Sequence, residues 1–68
     1  SHGHALAEGF AEHCRKSRVA QGTASALLAE LLELGAADMS ELTVQEWPSL
    51  RSWITLKPLE QRRWLANL

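Results

Sequence analysis

The chain has 68 residues, of which 46% are hydrophobic and 22% charged, and its formal net charge is -1. That composition suits one small core and leaves no room for a second, and it excludes a globally disordered chain. The lone cysteine, Cys14, excludes an internal disulfide and reads as an intracellular chain, and no apolar run approaches the roughly 20 residues of a membrane span.

In chain order, Ser1-His2-Gly3-His4 reads as a tag or boundary remnant, so that residues 5–68 form a single domain taken from a longer protein. Leu6, Phe10 and Cys14 recur every four residues, with Ala7, Ala11 and His13 on the same side, which predicts a helix from His4 to Ala20. Gly22 is placed to stop it by taking a left-handed conformation, and Thr23 to cap the next helix. That second helix, Ala24 to Leu34, carries Leu27, Leu28, Leu31, Leu32 and Leu34 around most of its circumference and reads as the most buried element, closed by Gly35. Asp38 to Glu41 and Thr43 to Glu46 are successive capping boxes that announce short helices. Pro48 and Pro58 fit the first turns of two more, Trp47 to Leu56 and Pro58 to Leu68. Trp47, Leu50 and Ile54 share a face of the fourth helix, with Trp53 at its edge. On the last helix Trp64, Leu65 and Leu68 oppose Leu59, Arg62 and Arg63. No alternating strand pattern is present, and the expected architecture is all-α, a compact bundle of four to five helices with short loops.

Charge is placed unevenly. Residues 1–18 carry a net +1, residues 19–50 a net -5 and residues 51–68 a net +3. Packed helices set opposite charges side by side, so the asymmetry reads first as packing and second as steering of a charged partner.

Enzyme chemistry needs converging groups, and none is recognisable, so no catalytic residue is assigned. His13 and Cys14 are adjacent on a helix and diverge by about 100 degrees, which makes Cys14 a small buried side chain rather than half of a thiolate pair. The His2-Gly3-His4 pair lies in the boundary remnant, so neither a metal site nor a cofactor is assigned. No phosphate-cradling glycine motif is present. The basic residues Arg51, Lys57, Arg62 and Arg63 would contact nucleic-acid phosphates if the fold joined them to Arg15, Lys16 and Arg18, but the acidic middle of the chain argues against that partner. A helix-hairpin-helix over Leu31 to Leu50 fails for want of the glycine pair in its turn.

Three tryptophans within eighteen residues supply core area, and Trp47 and Trp64 read as core. Trp53 reads equally well as core or as the wall of a groove. Leu59, between Lys57 and the Arg62-Arg63 pair, is either a staple for the helix start or an exposed apolar spot ringed by positive charge. The expected site is therefore an apolar groove at Trp53, Leu56 and Leu59, rimmed by Arg51, Lys57, Arg62 and Arg63. It would take a protein or peptide partner, an amphipathic and net acidic helix.

Glu46-Trp47-Pro48-Ser49-Leu50, Trp53, Leu56-Lys57-Pro58 and Arg63-Trp64 are similar to the closing helices of harmonin-homology domains. The resemblance implies a five-helix adaptor module of a larger scaffold protein or DNA helicase that binds a short helical segment in a hydrophobic groove. The chain departs from that pattern in its tryptophans, in the spacing before Lys57-Pro58 and in its shorter length. Leu31-Leu32-Glu33-Leu34-Gly35 with Met39, Leu42 and Thr43 resembles instead the middle of a sterile-alpha-motif domain, which implies self-association into homo-oligomers through an acidic surface meeting a basic helix end.

Overall fold

The computed structural model describes residues 2–68, with side chains from His4 onward, so Ser1 and the His2 side chain of the expected boundary remnant lie outside what is described. Leu6, Phe10, His13, Cys14 and Ser17 fall three or four apart and are all buried, which makes α1, His2–Ser17, a helix with one continuous inner face. It ends at Ser17, and Arg18, four residues before Gly22, is the one non-glycine residue with positive φ (58°) among the described residues. The Arg18 amide donates to the Arg15 carbonyl at 3.3 Å and the Val19 amide to the Cys14 carbonyl at 2.9 Å, the paired bonds of a Schellman motif, with Val19 and Cys14 both buried beneath it.

The second helix, α2, is Ser25–Glu33. Thr23 does not cap it; instead the Ser25 hydroxyl donates to the Gly22 carbonyl at 3.0 Å. Its C-terminus closes as expected: Gly35 has φ 80°, and the Gly35 and Ala36 amides donate back to Leu32 and Leu31. Leu27 and Leu31 are fully buried, yet Leu32 and Leu34 are exposed, so α2 is amphipathic rather than buried all round.

Beyond α2 the chain runs through short 3₁₀ segments, Met39–Glu41, Trp47–Ser49 and Arg51–Thr55, before α3, Pro58–Ala66. The fold is thus all-helical among the described residues, but with three α-helices and intervening 3₁₀ turns rather than four to five helices. The expected helix Trp47 to Leu56 is broken at Leu50, whose ψ of 141° is extended. The break resets the phase. Trp53 and Leu56, three residues apart and aligned by the threefold period of the 3₁₀ segment, turn inward at 6% and 2% exposure, while Ile54 turns out at 84%. The inner face therefore keeps Trp47 and the half-buried Leu50, gains Trp53 and Leu56, and loses Ile54.

All three indoles are buried. Trp64 is their hub, with ring centroids 5.3 Å from Phe10, 4.4 Å from His13 and 5.3 Å from Trp47. Its indole N–H and that of Trp47 are enclosed without a protein partner, so these rings serve by area and stacking. The radius of gyration is 10.7 Å, against about 11 Å for a well-packed chain of this length.

Candidate functional site

Two cross-links seat α3 on α1. Arg63 donates from Nε to the Ser17 carbonyl at 2.7 Å and from a terminal guanidinium nitrogen to the Arg18 carbonyl at 3.1 Å. A cation thereby caps the orphan carbonyls and negative dipole end of α1. In return, His13 sits 2.9 Å from the Trp64 carbonyl through Nε2; since a carbonyl only accepts, Nε2 carries the proton and donates. Burial holds the His13 pKa below its ordinary value, with Lys16 adding to the effect and the Trp64 hydrogen bond opposing it.

The other end of the candidate surface is fixed by Glu30, a buried carboxylate on α2. It accepts from the Arg51 amide at 3.1 Å, the Ser52 amide at 2.9 Å and the Ser52 hydroxyl at 2.6 Å, and so caps the 3₁₀ segment Arg51–Thr55. Hydrogen bonds from Ser52, side chain first, depress its pKa. Gln61 of α3 then donates to the Trp53 and Leu56 carbonyls at 3.1 Å each, locking the end of that segment to the start of α3. The Lys57 amide donates to Glu60 Oε1 at 2.7 Å, one half of a capping box.

On this frame the expected site residues divide. Trp53 and Leu56 belong to the core cluster and present no groove wall, which corrects the expected apolar groove: its floor is filled by its own residues. Arg51 is spoken for, its guanidinium 3.4 Å from Glu33 and 3.8 Å from Glu30, and Arg63 is the α1 cap. Lys57, Leu59 and Arg62 remain exposed, with Leu59 at 58%. Ile54 joins them as the most exposed large apolar side chain described. Sequence periodicity placed it on the inner face, and only the extended Leu50 turns it outward.

Concavities open elsewhere. A cleft of about 430 Å³ lies between α1, the segment Met39–Glu41 and the end of α3, lined by His13, Lys16, Met39 and Leu42 among others. A second of about 400 Å³, between α1 and α2, is lined by Ala7, Ala11, Leu28, Ala29 and Leu32 and holds no charged residue. No group of three or more His, Cys, Asp or Glu among the described residues is placed to hold a metal ion. The Cys14 thiol is buried and its pKa raised by that burial, the opposite of an activated nucleophile. No helix is long and apolar enough to cross a membrane.

Comparison with protein families, curated proteins and solved structures finds no match to this chain.

Proposed function

We propose that the chain is a helical protein-interaction module that receives an amphipathic, net acidic helix on the surface formed by Ile54, Lys57, Leu59 and Arg62. The observation that supports it is the exposure of two large apolar side chains, Ile54 at 84% and Leu59 at 58%, on the same short stretch as two cations that have no acidic partner within ion-pair distance among the described residues. Exposed aliphatic anchors ringed by positive charge suit a helix whose apolar stripe is flanked by Glu or Asp. Trp53 and Leu56 act beneath this surface, holding its backbone. The test is calorimetric titration of an acidic amphipathic peptide into wild type, Leu59→Ser and Ile54→Ser. Loss of binding with unchanged circular dichroism is expected, and equal affinity for all three would refute the assignment.

A second reading has one observation of its own. Leu34 and Val44 are exposed at 63% and 50% in the stretch of sequence that also carries Glu33, Asp38, Glu41 and Glu46, an acidic counterpart to the basic residues that would let copies associate head to tail. Sedimentation mass that rises with concentration and falls with salt is its signature. A monomer at low salt excludes it.

A further inference from the structure

Of the seven Lys and Arg residues, Arg15 pairs with Glu12, and Arg51 with Glu30 and Glu33. The other five, Lys16, Arg18, Lys57, Arg62 and Arg63, have no carboxylate within ion-pair distance among the described residues. In sequence they form two groups more than thirty residues apart, and the fold makes them one. The Arg63 guanidinium on the Ser17 and Arg18 carbonyls brings the end of α1, with Lys16 and Arg18 exposed, against the face of α3. On that helix Leu59, Arg62, Arg63 and Ala66 form one stripe, and Leu59 to Arg63 spans only about 6 Å of helix axis. The apolar spot at Leu59 thus leads within roughly one turn of α3 into an unneutralised cationic patch contributed by two helices.

We infer that this α1–α3 patch is the second half of the partner-binding surface and that it takes an acidic run lying one to two helical turns beyond the partner's apolar anchors. The inference rests on the interaction-module reading and specifies its partner. An acidic protein segment fits better than a nucleic acid because the patch leads on α3 into the exposed apolar Leu59, which a phosphate backbone cannot use, and because all three tryptophans are buried, so no indole face is offered for stacking the bases of a single strand.

Arg18 gives a discriminating variant. Its positive φ means that Arg18→Gly removes a patch charge while relaxing the backbone, and the carbonyl that Arg63 holds is retained. Two peptides serve as probes, both with a Leu-based amphipathic stripe, one extended by four Glu and the other by four Gln. The Glu peptide should bind wild type about tenfold more tightly than the Gln peptide at low salt, and Lys16→Gln/Arg18→Gly, which leaves Lys57, Arg62 and Arg63 in place, should lower that preference severalfold while leaving the Gln peptide's affinity unchanged. Equal affinities of the two peptides for wild type would overturn the acidic-run inference and leave the apolar site standing, whereas binding of neither would end both readings. Tighter binding of a 20-base-pair DNA duplex than of the Glu peptide, lost in the same double variant, would reassign the patch to nucleic acid.

Discussion

Replacing Arg18 by glycine should stabilise the fold, although it removes a long side chain and a charge. Arg18 occupies the C′ position of the motif that ends α1, with φ at 58°, where a β-carbon crowds the following carbonyl at a cost of roughly 1–2 kcal/mol. Glycine removes that cost, but its greater freedom in the unfolded chain returns roughly 0.5–1 kcal/mol. The side chain is exposed and makes no hydrogen bond or ion pair among those of the described residues, so nothing else is lost; the Arg63 contact is to the Arg18 carbonyl. The net gain is about 0.5–1 kcal/mol, which in a domain of this size raises Tm by roughly 4 °C. Arg18→Ala is the control, because alanine loses the same charge and keeps the crowding. Urea denaturation of the three proteins followed by tryptophan fluorescence decides the matter. If glycine is no more stable than alanine, the strain at this position is illusory and the account of how α1 ends is wrong.

Other outcomes follow from the same contacts. Arg63→Met removes two charge-assisted bonds to the end of α1 and should cost about 2 kcal/mol in urea denaturation, with Arg63→Lys recovering only part because an ammonium cannot span both carbonyls; a loss below about 0.5 kcal/mol would return Arg63 to the list of free binding residues. Trp53→Ala should cost about 3 kcal/mol or more and Leu59→Ala less than about 0.5 kcal/mol, and the reverse order would show that the phase reset at Leu50 is misplaced. Stability should fall in acid in two stages. The His13 pKa is lowered in the fold, so the unfolded chain takes up the proton first and stability declines as pH drops below about 6.5, the ordinary histidine value. Glu30 and Asp38 are also lowered, and their contribution, present above the ordinary carboxylate range, is lost as pH falls through it. His13→Gln should erase the first stage alone, which a pH series of thermal melts would show.

Much of this fold is legible in the amino-acid sequence alone. The four-residue spacing of Leu6, Phe10 and Cys14, the glycine that closes α2 and the two prolines at helix starts are local signals, and each sits where its own chemistry requires. What escaped is non-local. Nothing in the sequence marks Arg18 rather than Gly22 as the left-handed residue, because the choice depends on Val19 finding a buried place over Cys14. Ile54 and Trp53 exchange faces because Leu50 takes an extended backbone, and that in turn follows from Glu30, twenty residues earlier, capping the next segment through Arg51 and Ser52. Arg63 reads as surface charge until α1 supplies the carbonyls it holds.

The charge asymmetry between the middle of the chain and its end also changes meaning. Packing would explain it if the acidic middle neutralised the basic end, but only Arg51 crosses to that middle, on Glu30 and Glu33. The remaining acids of the middle are occupied with backbone amides instead: Asp38 takes that of Ser40, Glu41 that of Ala37 and Glu46 that of Thr43, just as Glu60 in the basic end takes that of Lys57. Short segments with few internal bonds need such caps, so carboxylates stabilise this fold locally, as acceptors, and neutralise little. The cations have no equivalent duty, apart from Arg63 on α1. In a chain this small, burying an aliphatic side chain such as Leu59 or Ile54 would add about 1.5–3 kcal/mol, a large share of total stability. Leu59 and Ile54 stand in water near cations without an acidic partner, so on the proposed reading an acidic amphipathic helix would recover both the apolar burial and the charge pairing that the fold leaves unused.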